Sequence, residues 1–116
     1  MRYPVATKNA RLQAVVNQIG REGRIELLSE DGNSLVVIRL SDKVGSISQG
    51  RLTFDTRPEQ AIADGKVAKA RIKSGAGLVI VDDLTVGPLG EIDITPSLEL
   101  QVGQVVTTQN AVIVHG

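Results

Sequence analysis

Residues 68–73 read Ala68-Lys69-Ala70-Arg71-Ile72-Lys73. Small or apolar side chains alternate with cations, the period of two that puts Ala68, Ala70 and Ile72 on one face of a strand and Lys69, Arg71 and Lys73 on the other. The spacing predicts a strand with one face in a core and a charged face in solvent, where such charges also protect a sheet edge. Downstream, Ser74-Gly75-Ala76-Gly77 reads as a turn. Leu78-Val79-Ile80-Val81 then reads as a buried strand, extended or restarted by Leu84 and Val86.

The same period recurs on both sides. Ile25 and Leu27 alternate with Arg24 and Glu26, and residues 34–40 are nearly all apolar. Glu30-Asp31-Gly32-Asn33 between them is turn chemistry, so residues 24–29 and 34–40 form a hairpin. Residues 41–50, rich in Ser and Gly, read as a connection. Residues 51–56 alternate with Leu52 and Phe54 inward, until Arg57-Pro58 ends the strand. A second connection over 61–65 has room for one helical turn. Ile92 and Ile94 alternate with Glu91 and Asp93, and Leu98, Leu100 and Val102 with Glu99 and Gln101. Two short strands, 105–108 and 111–114, complete the chain. Val, Ile and Thr make up 32 of 116 residues, in keeping with sheet.

One segment departs from this period. Leu12, Val15, Val16 and Ile19 fall on one helical stripe, with Thr7 placed to act as N-cap and Gly20 as the left-handed stop. The expectation is a helix at about residues 8–19, preceded by an extended arm over residues 1–6 that Pro4 keeps open and Tyr3 can anchor. Residues 7–116 then form one domain: an all-β, jelly-roll-like sandwich of about eight strands with one N-terminal helix. Its expected core is Leu52, Phe54, Ile72, Ile80, Ile92, Ile94, Leu98 and Leu100.

Composition excludes several functions. Lys plus Arg and Asp plus Glu are 13 each, so the surplus of cations that a duplex nucleic-acid binder needs is missing. There is no cysteine, hence no disulfide, thiolate metal site or thiol nucleophile. No apolar run approaches a membrane span, and Met1-Arg2-Tyr3-Pro4 does not begin an apolar signal core. Gly75-Ala76-Gly77 precedes a strand instead of opening a helix, so it is a turn and not a dinucleotide loop. Asp82-Asp83 and the pair Glu91 and Asp93 are the densest acidic patches. Their strand spacing is that of a solvated face more than of paired catalytic carboxylates or calcium ligands. His115, the single histidine, has no spaced partner for a metal site or a triad. The expectation is a protein without catalytic residues, metal or cofactor.

Charge is unevenly distributed. Residues 1–24 carry Arg2, Lys8, Arg11, Arg21 and Arg24 against Glu22, whereas after Lys73 there are five acids and no base. Either these charges interleave in the folded domain, or the basic end meets the acidic flank of a neighbouring copy. Arg2, Tyr3, Pro4, Arg11, Arg21 and Arg24 are the candidate interaction residues.

Several segments together carry a resemblance: Arg11-Leu12-x-x-Val15-x-x-x-Ile19-Gly20, Gly50-Arg51-Leu52-Thr53, Ala70-Arg71-Ile72, Leu84-Thr85-Val86-Gly87, Val102-Gly103-Gln104-x-Val106 and Val112-x-x-His115. The chain resembles small virion structural proteins of tailed bacteriophages and prophages, of the capsid decoration or cement type. The resemblance covers most of the chain, though residues 64–73 are more charged here and the loop near 41–48 lacks a proline. It implies a non-enzymatic subunit, made in the bacterial host cytoplasm, that sits on the outer surface of the capsid as a homotrimer. Its partners would be itself and the major capsid protein, with no nucleic acid and no membrane. The alternatives are a neck or tail accessory protein, or a carbohydrate- or host-surface-binding sandwich, against which the scarcity of aromatic stacking residues counts.

Overall fold

The computed structural model describes residues 4–88, 90–95 and 97–114. One helix, α1 (Val5–Ile19), precedes ten strands: β1 (Arg24–Leu28), β2 (Ser34–Ser48), β3 (Arg51–Thr56), β4 (Glu59–Gln60), β5 (Gly65–Lys66), β6 (Lys69–Lys73), β7 (Val79–Leu84), β8 (Ile92–Thr95), β9 (Glu99–Leu100) and β10 (Val105–Val114). The chain is thus an all-β sandwich with one N-terminal helix.

The large sheet runs β4-β10-β3-β2-β1-β6-β7, with β8 on the other side of β10. Its paired strands are antiparallel, so each period-two face is presented whole. A single parallel bridge, Val86 to Ile92, brings the continuation of β7 back onto β8, and the sheet therefore curls around its own apolar face. Ile25, Leu27, Val36, Ile38, Leu52, Ile72, Ile92 and Val106 are fully buried there. Of the expected core, Leu52, Phe54, Ile72, Ile92, Ile94 and Leu100 are buried, while Ile80 and Leu98 are half-buried and pack against its margin.

The 24–29/34–40 hairpin forms in the expected place, with Gly32 at positive φ. Residues 41–50, however, are not a connection. β2 continues through them to Ser48, because Leu40 pairs with Thr56 and Gly45 with Phe54, which leaves the β2 side three residues longer than the β3 side. The excess forms a bulge in which Val44 takes φ 68° with its side chain fully buried. β2 pairs with β1 as far as Arg39 and with β3 from Leu40 onward, on either side of the bulge, so one strand serves both layers. A Ser- and Gly-rich composition permits such a bend but is equally the composition of a loop.

The two expected strands 105–108 and 111–114 are one, β10, with a register shift between Thr108 and Asn110 where it pairs with β8. On its other side, β3 and β4 share a single register across Arg57-Pro58, from Arg51↔Val114 to Gln60↔Val105. Residues 61–65, given room for a helical turn in the sequence, hold no helix, and Gly65 begins β5.

The helix lies across one end of the curled sheet. It begins earlier than expected: Pro4, not Thr7, is the N-cap, with φ −57° and no side-chain cap, and its carbonyl accepts the Lys8 N–H at 3.0 Å. Proline's fixed φ and the lack of any need for an N–H at this place favour that start. Val5 and Ala6 of the expected arm are therefore the first helical turn, and residues 1–3 lie outside the described residues. Gly20 ends the helix where expected, its N–H on the Val16 carbonyl, but with φ 64° and ψ −158° it is not in the left-handed helical conformation expected of it; this pair of angles is one that glycine alone takes readily. Leu12 and Ile19 close the core, and Asn9 Oδ1 accepts the Gly50 N–H at 2.8 Å across 41 residues of chain. Removing that acceptor by Asn9→Ala is expected to cost about 1 kcal/mol, since a part-buried N–H loses its partner. Hydrogen exchange at Gly50 should rise with it.

Candidate functional site

Lys69, Arg71 and Lys73, expected in solvent at an edge, sit on a central strand. β6 lies between β1 and β7, so its cationic face is flanked on both sides and each of the three is half-buried. Register explains the arrangement: Glu26 of β1 stands opposite Arg71, and Arg24 opposite Lys73. Arg71 Nε donates to Glu26 Oε1 at 2.6 Å, and Lys73 Nζ lies 3.2 Å from the same oxygen. Glu26 is buried. Burial alone would raise its pKa, but hydrogen bonds from Arg71 and Lys73, and their charges, outweigh it and hold the carboxyl below its ordinary value. The alternation of β1 signals that Glu26 lies on the face opposite Ile25 and Leu27; nothing local signals that this face is covered.

Beside the cluster runs an open cleft of about 480 Å³, bordered by Arg24, Arg39 and Arg57 and by Glu22 and Asp42. Three guanidiniums against two carboxylates make a rim suited to ion pairing with an acidic surface. Nothing in this border is nucleophilic. Among the described residues no three His, Cys, Asp or Glu side chains converge as metal ligands. No helix among them is long and apolar enough to cross a membrane.

The acidic pairs do local work. Glu91 Oε1 accepts both the N–H and the hydroxyl of Thr85 at 3.2 Å, while Thr85 Oγ1 accepts the Glu91 N–H at 3.0 Å, a clamp that holds the turn into β8. Asp82 Oδ1 accepts the Asp83 N–H at 2.8 Å, and Asp83 takes φ 57°. β7, expected to be buried, is an exposed sheet edge with two register shifts against β6. Those irregularities and the two aspartates are devices that blunt an edge.

The candidate interaction residues that are described, Pro4, Arg11, Arg21 and Arg24, do not form one patch. Pro4 and Arg21 stand at opposite ends of α1, about 22 Å of helix apart at 1.5 Å per residue. Arg21 and Arg24 meet at the β6–β7 turn. There Gly75 has no room for a side chain, because a Cβ would lie 2.3 Å from the Arg21 carbonyl oxygen. Arg11 is exposed on the helix, while Arg2, Tyr3 and also His115 lie outside the described residues.

A cluster of exposed aliphatic side chains that the reading of the sequence missed lies at the far end of the β3/β4–β10 ladder. Ile62, Val102 and Val105 are all exposed there. Val102, expected to point inward with Leu98 and Leu100, falls beyond the two-residue β9 and lies in a turn. The 61–64 and 101–104 loops are fastened together: Ala61 N–H to the Gln104 carbonyl, Gly103 N–H to the Ala61 carbonyl, and Val102 N–H to Asp64 Oδ1 at 2.8 Å. A signal was present in Gln101-Val102-Gly103-Gln104, where the glycine marks a turn that stops the alternation.

Compared with family models, with curated proteins and with solved structures, the chain matches none.

Proposed function

We propose that this chain is a non-enzymatic structural subunit of a tailed-phage particle, a decoration or cement protein that binds the assembled head shell from outside and stabilises it as a homotrimer. The observation behind this reading is where the resembling segments fall. Leu12 and Ile19, Leu52, Ala70 and Ile72, Leu84 and Val106 are all buried side chains of one apolar body. Gly50, in the Gly50-Arg51-Leu52-Thr53 segment, is the turn that receives the helix. The resemblance is thus carried by a whole architecture, which fits a subunit whose task is to be a stable surface more than a vessel for chemistry.

Quantitative mass spectrometry of purified particles from the phage or prophage that encodes the chain tests this. Hundreds of copies per particle are expected. About a dozen or fewer would move the protein to the neck or tail, where rings of that order are found. Absence from the particle would overturn the reading. Added back to undecorated heads, the protein is expected to raise the temperature at which shells release their genome.

A further inference from the structure

Two exposed aliphatic patches, a tip on the 61–64 and 101–105 segments and a base on the β6–β7 turn, lie in chemically unlike surroundings. At the tip, Ile62, Val102 and Val105 are 60, 63 and 53% exposed. Around them stand Glu59, Asp64 and Glu99, and a groove shared by Glu30, Asp31, Asp64 and Lys66 continues the acidic surface. At the base, next to the C-terminus of α1, Leu78 and Val79 are 66 and 45% exposed. Arg21, Arg24 and Lys73 lie about this turn, with Glu22 beside Arg21 and the buried Glu26 on Lys73 as the acids. Lys73 is paired with both Arg24 and Val79 in the sheet register, and a Cβ on Gly77 would lie 3.8 Å from Arg24 Nη2.

We propose that the tip of one copy docks on the base of the next: Ile62, Val102 and Val105 against Leu78 and Val79, with the acidic rim on Arg21, Arg24 and Lys73. Charge selects this pairing. Tip on tip would bring two sets of carboxylates together, and base on base two sets of cations; tip on base matches both rims and covers both aliphatic centres. Made once per pair of copies the contact is heterologous and closes as a ring or continues as a stack, whereas a two-fold pair would have to make it twice, side by side. Both surfaces are ready-made. The tip is held by the hydrogen bonds between its loops, and the base turn by Ser74, whose N–H donates to the Leu78 carbonyl and whose Oγ accepts the Leu78 N–H. This deepens the oligomeric part of the proposed function and is independent of any particle.

The test uses the full chain with Val102→Asp as the tip variant and Leu78→Asp as the base variant. Both positions are exposed, and circular dichroism checks that each variant keeps its sheet. In sedimentation velocity over a concentration series the unaltered protein should associate. A tenfold rise in salt should weaken that association at least about threefold, since rim charges are screened. Each variant alone should be monomeric, because every contact needs one tip and one base. Mixed in equal amounts, they should form a one-to-one dimer from the intact base of one and the intact tip of the other. An unaltered protein that stays monomeric, variants that assemble as it does, or a mixture that forms no dimer would each overturn the proposal. Absence from virions with a positive mixing result would overturn only the particle role.

Discussion

Gly45→Ala is expected to remove about 3 kcal/mol of stability, a large share of the 5–15 kcal/mol that holds a domain of this size. A Cβ at Gly45 would lie 2.1 Å from the Thr53 carbonyl oxygen and 2.9 Å from Phe54 Cα. These are backbone atoms of the strand paired with β2, so no rotamer change can make room. The pair Gly45↔Phe54 is the first after the bulge, where the β2–β3 ladder resumes. The methyl group would push apart the strands that join the two layers. Chemical denaturation of both proteins measures the loss. Gly32→Ala is the control: its added Cβ has open space, and only the positive φ opposes it, at a cost of about 1 kcal/mol. If Gly45→Ala cost no more than Gly32→Ala, the tight approach of β2 to β3 would be refuted.

The second large effect is expected at Glu26. Glu26→Ala would leave Arg71 and Lys73 without their carboxylate, beside Arg24 and Arg39, which occupy the neighbouring positions of the register. Breaking a buried pair from one side costs about 3–5 kcal/mol; the lower figure applies here because Arg71 and Lys73 retain some contact with water. Glu26→Gln keeps an acceptor for Arg71 and should cost about 1–2 kcal/mol. The pH dependence separates charge from shape. Because the folded pKa of Glu26 lies below its unfolded value, the carboxylate contributes stability in full above the unfolded pKa. That contribution disappears as pH falls through the folded pKa. Between pH 7 and pH 3 the unaltered protein should therefore lose more stability than Glu26→Gln does, and thermal melts over that range read the difference. Parallel losses in the two proteins would show that Glu26 is not the carboxylate responsible.

What the sequence determined by itself is local. Period two in residues 24–27, 51–56 and 69–73 made strands, because alternate side chains must leave a pleated backbone on opposite faces. Period 3.6 over Leu12, Val15, Val16 and Ile19 made the helix, and Gly20 stopped it because φ 64° is easily reached without a Cβ. Tertiary structure decided which faces are covered and which segments continue into one another. The cations of β6 are half-buried because β1 brings Glu26 to Arg71 from 45 residues away, a distance at which no periodicity carries information. Leu78 and Val79 are exposed because β7 came to lie at an edge, although their composition is that of a buried strand. Residues 41–48 extend β2 because three excess residues could be absorbed beside β3, and Val44 accepts a strained φ in exchange for full burial of its side chain. The exposed tip of Ile62, Val102 and Val105 likewise exists only where two loops, some forty residues apart in the chain, are hydrogen-bonded to each other. Alternation fixes the two sides of a strand; what comes to rest against each side is set by the rest of the chain.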